Sequence, residues 1–138
     1  MTTRTAACSC GQLHIVCDGE PTFVAACHCT ACQRRTGSAY SVVAYYPAKQ
    51  VLNIEGTSKV FTRRSDAGRD VRLHFCPECG STVYWEADFR PDHLGVAVGN
   101  FVDPSFPKPT FAVWAQHRWQ WLSALEGIPS FNQRPPPG

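Results

Sequence analysis

Seven of the eight cysteines in this chain stand in three tight clusters. These are Cys8-Ser9-Cys10-Gly11, Cys27-His28-Cys29-Thr30-Ala31-Cys32 and Cys76-Pro77-Glu78-Cys79-Gly80. Thiols one or two residues apart can point at a common centre, as a tetrahedral zinc with Zn–S bonds near ~2.3 Å requires. A disulfide inside so short a pair would be strained, because an unstrained bridge needs a specific Cα separation and dihedral. Gly11 and Gly80 each follow the last cysteine of a cluster. There the chain must turn sharply, and backbone N–H groups can approach the sulfurs. The Cys76-to-Gly80 run reads as a zinc knuckle.

Seven ligands divide most simply into four and three. Cys76 and Cys79 need a second pair to close a structural Cys₄ site, and Cys8 with Cys10 supplies one across a long stretch of sequence. Cys27, Cys29 and Cys32 then hold a second zinc with three thiolates and one open position, the pattern of a catalytic site. The alternative is a single Cys₄ site in which Cys27 or Cys32 joins the knuckle and the remaining thiols stay free. An iron–sulfur cluster is the weaker rival, since the spacing follows neither ferredoxin pattern. Cys17 stands alone in an alternating stretch and reads as a strand residue packed like a small hydrophobe. His28, flanked by proposed ligands, is expected to point away from the metal if its segment is extended. His14, His74, His93 and His117 share no metal-binding spacing and read as surface or strand histidines.

These residues need a frame to hold them. Short β-branched and aromatic runs broken by Gly, Pro, Asp and Asn predict strands near 12–17, 22–27, 40–46, 50–55, 58–63, 70–75, 81–86, 93–99 and 111–117. Turns fall at Gly56-Thr57 and at Asp66-Ala67-Gly68. Only Thr30–Thr36 reads as a short helix, with Thr30 as its cap. Without strand–helix alternation a parallel α/β sheet is not expected. The fold class is therefore all-β, antiparallel and stapled by metal. The aromatic C-terminal part (Phe106, Phe111, Trp114, Trp119, Trp121) reads as core and sheet-face packing; a wall over the metal that restricts water is the alternative. Residues 1–126 form one expected domain, and residues 127–138, rich in proline, an extended tail.

Composition narrows the function classes. In 138 residues, 43% are hydrophobic and 17% charged, as in ordinary globular chains. The formal net charge is +2, and seven thiolates on two zinc ions would lower it to −1. The basic pairs Arg34-Arg35 and Arg63-Arg64 are too short for a nucleic-acid stripe, so no nucleic-acid partner is expected. The first residues hold no apolar core for a signal peptide, and no segment nears the ~18 apolar residues of a membrane helix. The expected setting is cytoplasmic and reducing, where clustered cysteines favour metals over disulfides.

The ordered motifs Cys-x-Cys-Gly, Cys-His-Cys-x-x-Cys and Phe-Cys-x-x-Cys-Gly resemble those of the glutathione-dependent formaldehyde-activating enzyme (GFA) family, which includes centromere protein V-like proteins. The likeness runs from Cys8 to about Trp121 and takes in Arg34, Thr36-Gly37-Ser38-Ala39 and Phe75. It implies stacked antiparallel sheets, a structural zinc on Cys8, Cys10, Cys76 and Cys79, and a labile one on Cys27, Cys29 and Cys32. Glutathione would bind near the second zinc as the small-molecule thiol. The implied reaction condenses glutathione with formaldehyde to S-hydroxymethylglutathione, classed as a carbon–sulfur lyase activity, with Cys27, Cys29 and Cys32 as the catalytic set. A three-thiolate zinc suits delivery of a thiol as thiolate better than carbonyl activation, because three negative charges weaken its acidity. Arg34 or Arg35 is a candidate for a substrate carboxylate. The rival classes are a non-catalytic zinc module that binds a protein and a thiol-based redox sensor. The oligomeric state stays open.

Overall fold

The computed structural model describes residues 2–65 and 67–134. Two sheets make up the fold. The smaller joins β1 (Thr3–Ala7), β2 (His14–Asp18) and β5 (Val51–Glu55), all antiparallel in the order β1-β2-β5. The larger contains β3 (Phe23–Cys27), β4 (Ser41–Pro47), β6 (Lys59–Arg64), β7 (Asp70–Phe75), β8 (Thr82–Ala87), β9 (His93–Ala97) and β10 (Phe111–Val113). Its order is β10-β3-β4-β9-β8-β7-β6, and only the β10–β3 pair is parallel. One short helix, α1 (Thr30–Thr36), follows β3. No helix among the described residues is long and apolar enough to cross a membrane.

Successive residues of a strand face opposite sides of the sheet, and here that alternation separates structure from site. The even positions Val24, Ala44, Tyr46 and Val96 pack against Ala6, Leu13, Ile15 and Cys17 of the small sheet, forming the buried core between the layers. Cys17 is fully buried in that core, and burial pushes its thiol up to about 12, as fits a cysteine used for packing. The odd positions Ala25, Val43, Tyr45, Val71, Leu73, Trp85 and Ala87 form a second cluster on the other face. Among the described residues, no second sheet covers that side.

The register on the uncovered face is exacting around Trp85. Gly95 pairs with Tyr45 on one side and with Trp85 on the other. A Cβ added at Gly95 would overlap the indole ring. The missing side chain lets Trp85 lie across the strand between them and donate its Nε1–H to the Tyr45 hydroxyl at 3.1 Å.

The strand expectations hold to within a residue or two, with three differences. Thr3–Ala7 is a strand that the pattern did not announce, because it carries no large apolar residue. The last strand stops at Val113, where Trp114 takes a left-handed conformation (φ 54°). The cap of α1 is Cys29, not Thr30: the Cys29 Sγ accepts the Cys32 N–H at 3.3 Å. Asp66 of the expected 66–68 turn lies outside the described residues, as does the end of the expected tail, residues 135–138.

Candidate metal centres and the cavity above one of them

Cys8 and Cys10 sit in the turn after β1, and Cys76 and Cys79 in the turn between β7 and β8. Their four sulfurs lie within 4.8 Å of one another. The Cys8–Cys10 and Cys10–Cys76 sulfur separations are 3.6 and 3.7 Å. Sulfurs at the corners of a tetrahedron around zinc, with Zn–S near ~2.3 Å, stand ~3.8 Å apart. The donor set therefore fits a tetrahedral thiolate metal, and the spacing is far too long for disulfides. Gly11 (φ 85°) and Gly80 (φ 81°) make the two left-handed turns. The N–H of Ser81 and its hydroxyl hold the Cys79 thiol down to about 5. Burial opposes ionisation of Cys76, but the Cys79 N–H, the Gln12 amide and the Glu78 N–H together hold it below the usual thiol range. Each of these contacts favours thiolates, the form that binds metal.

Gln12 ties this centre together, and sequence spacing did not single it out. Its Nε2 donates to the Cys76 sulfur at 3.0 Å and to the Thr57 carbonyl at 2.7 Å, while its Oε1 accepts the Thr57 N–H at 2.8 Å. The loop it grips packs so closely that a Cβ at Gly56 (φ 99°) would collide with the Gln12 backbone.

The second group forms at the end of β3. Cys27 is the last residue of that strand, Cys29 caps α1, and Cys32 lies in its first turn. Their three sulfurs also lie within 4.8 Å of one another, and no other His, Cys, Asp or Glu among the described residues joins them. Cys29 and Cys32 are buried. Hydrogen bonding by Cys27 and Cys29 holds the Cys32 thiol far below its usual value, whereas bonding to Cys29 and Cys32, with burial, pushes Cys27 far up. Three thiolates this close repel one another, so the set fits a metal cation that can compensate all three. Ser41, paired with Cys27 across the sheet, buries its hydroxyl without a partner in hydrogen-bond geometry. It lies close enough to Cys32 to favour the thiolate.

The two groups are the four-plus-three division. The alternative that joins Cys27 or Cys32 to the knuckle is not the set this fold brings together. His28 belongs to neither group: it is buried against Tyr40, with ring centroids 5.4 Å apart.

The three sulfurs open onto a cavity of about 720 Å³ on the uncovered face of the large sheet. Its lining is mostly odd-numbered strand positions, among them Val43, Tyr45 and Trp85. Phe111, Val113 and Trp114 form part of its wall. The C-terminal aromatics thus divide: Phe106 stacks on buried Phe101 at 4.7 Å as core, while Phe111 and Trp114 line the cavity. Trp119 and Trp121 are neither, lying exposed and edge to face 5.5 Å apart, with Trp119 donating to Gln33 of α1. Phe111, in β10 with its ring 5.4 Å from Phe23, keeps the expected sheet-face packing, whereas Trp114, Trp119 and Trp121 depart from core packing. Arg35 lines the cavity and stacks on Trp85 at 4.7 Å, whereas Arg34 stands outside it, exposed.

With this arrangement in view, residues 3–117 match the family described as glutathione-dependent formaldehyde-activating enzyme (GFA). The chain belongs to that family. Its fold is similar to that in a crystal structure of a Rhodobacter sphaeroides protein, at 18% identity and a TM-score of 0.58, covering 78% of this chain and 98% of that one. Membership gives this GFA chain its all-β frame. The cavity residues that no motif announced are Tyr45, Trp85, Arg63, Arg69 and Arg90, and they meet only because the sheet register brings separate strands and loops together.

Proposed function

We propose that this GFA chain is a zinc-dependent carbon–sulfur lyase that makes and breaks the adduct of a small thiol with an aldehyde. Glutathione and formaldehyde are the pair that the family description supports. The observation carrying this reading is a set of three cysteine sulfurs, and no fourth His, Cys, Asp or Glu donor among the described residues, in the lining of a cavity of about 720 Å³. In this reading Cys8, Cys10, Cys76 and Cys79 hold a structural zinc, and Cys27, Cys29 and Cys32 a second, labile one. A zinc held by three thiolates supplies a position where a substrate thiol is taken up as its thiolate at neutral pH. Residues 1–126 carry the activity, with 127–138 as an appended tail, and a reducing cytoplasm is the setting that suits such thiols.

The chain's own residues complete the chemistry. Phe111 and Trp114 shield the reacting atoms from water. Burial pushes the Tyr45 phenol up to about 12, so it is neutral at physiological pH. Its oxygen accepts from Trp85, which leaves its own O–H free to donate into the cavity. As the thiolate sulfur bonds to the carbonyl carbon, the C=O π pair moves to oxygen, and Tyr45 donates the proton that this oxygen takes. The proton lost by the thiol passes to solvent and one from solvent returns to Tyr45, so the sum is thiol plus formaldehyde to the S-hydroxymethyl hemithioacetal. Cleavage runs the same steps in reverse.

NMR exchange spectroscopy of glutathione and formaldehyde at equilibrium tests the reading, because thiols also add to formaldehyde unaided. Zinc-loaded protein should speed interconversion and its Cys29→Ser variant should not. Equal rates would reject this reaction.

A further inference from the structure

The last stretch of the described chain is ordered without being buried. From Phe111 to Arg134 no residue is buried. Two short 3₁₀ turns, Ala115–His117 and Leu122–Gly127, shape it beyond β10. Among the described residues, the hydrogen bonds that tie those turns to the rest of the domain go to one side chain. Gln33 donates to the His117 carbonyl at 3.3 Å and accepts from the Trp119 indole at 3.0 Å. Yet the stretch is rich in large apolar side chains. Trp114, Trp119, Trp121, Leu125, Ile128 and Phe131 are each between 36% and 57% exposed. Fixing a chain in place costs about 1–2 kcal/mol of entropy per residue, which burial of apolar surface normally offsets. In a single copy of this chain that burial is missing. The family match ends at residue 117, so Trp119 to Phe131 lie beyond what the family shares.

The size of this surface is informative. Large side chains present about 150–250 Å² each, so half-exposed ones contribute about 100 Å² apiece. With Phe111 and Val113 of β10, which adjoin the stretch and are also exposed, the total is on the order of 800 Å². Single-chain proteins seldom expose so much apolar surface in one segment, and about 800 Å² per partner is what an interface of standard size buries. β10 is also the edge strand of the large sheet, paired only with β3 among the described residues. The apolar surface therefore continues onto an open sheet edge.

Charge points to the occupant. Residues 114–131 hold one arginine, Arg118, and one carboxylate, Glu126. A lone arginine makes no basic face for an anionic lipid surface or a nucleic acid. A balanced stretch meets its own copy without net repulsion, and a two-fold axis can turn each Arg118 toward the partner's Glu126. From this we propose that residues 111–131 form the contact surface of a two-fold homodimer, in which each copy covers the other's aromatic segment. Phe111, Val113 and Trp114 also wall the cavity, so the second copy stands beside its opening. The association does not depend on the reaction at the three sulfurs and is tested without it.

The test is sedimentation velocity on the zinc-loaded protein across a dilution series. Wild type should sediment as a dimer at about 50 µM and dissociate on dilution. Acrylamide quenching of its tryptophan fluorescence should be weaker in the dimer. Trp121→Glu and Ile128→Glu replace exposed residues outside both sheets, so each should keep the wild-type thermal melt. Each should weaken association about a hundredfold or more, because a substitution in a two-fold interface enters twice. Phe61→Glu, on β6 and as exposed as Ile128, is the control and should stay dimeric. A wild type that remains monomeric at about 50 µM would overturn the proposal and leave the surface to an unlike partner. A dimer untouched by both variants, or one lost equally in Phe61→Glu, would overturn it as well.

Discussion

The two cysteine groups use one ligand type for two different ends. The four-sulfur group joins the turn after β1 to the turn between β7 and β8, so it ties the small sheet to the large one. Backbone N–H groups and the Gln12 amide surround it. The three-sulfur group joins residues at most five apart in sequence, so it staples nothing distant. A cavity opens above it, and Arg35, Arg63, Arg69 and Arg90 stand around that cavity. Metal closing a long loop serves the fold. Metal closing a short one, with a ligand missing, is free to serve chemistry.

The comparison breaks first at the four-sulfur group. Structural zinc is worth about 10–16 kcal/mol in small zinc peptides, as much as a whole domain's stability of about 5–15 kcal/mol. Cys76→Ser should therefore abolish the cooperative thermal transition, read by circular dichroism. A variant that melts like wild type would remove this group from the structural role. The next effect is confined to the other group. Cys29→Ser should lose one of two zinc ions by mass spectrometry under native conditions, with the melt kept and zinc-dependent exchange gone. The serine Oγ can accept the Cys32 N–H in place of the sulfur, so the helix keeps a cap and the domain stays folded. Smaller again is Tyr45→Phe, which keeps the packing and removes the proton donor. Its exchange rate should fall about a hundredfold with both zinc ions retained. An undiminished rate would assign the proton to water. The smallest effect returns to the first group: Gln12→Ala removes a hydrogen bond to a thiolate and two to the exposed Thr57 backbone. It should lower stability by about 2 kcal/mol and speed zinc loss to a chelator, without changing exchange at the other centre.

How much of this could be read from the chain follows the same division. Both cysteine groups were legible because thiols that the fold gathers lie with one or two residues between them, and the glycines after Cys10 and Cys79 marked the turns. Most strands were legible from alternation. β1 was not, since Thr3-Arg4-Thr5-Ala6-Ala7 becomes a strand through pairing with β2 rather than through its own residues. The parallel seating of β10 on β3 is likewise a matter of partners. The cavity was the least legible part. Tyr45, Trp85, Arg63, Arg69 and Arg90 come from β4, β8, β6 and two loops, and no spacing links them. What they share is register, with Gly95 holding Tyr45 and Trp85 in reach of each other. The odd positions of β3 and β4 could have been aligned from Cys27 outward once the pairing was known. Trp114 misled for a related reason, because it walls a cavity instead of filling a core.

The central claim is that only the three-sulfur group has room for another ligand. It is tested most directly by loading both sites with cobalt(II) and titrating with mercaptosuccinate while following the thiolate-to-metal absorption bands. The account predicts a change that saturates at one thiol per chain and is absent in Cys29→Ser. A spectrum that never changes, or a change that survives in that variant, would contradict it.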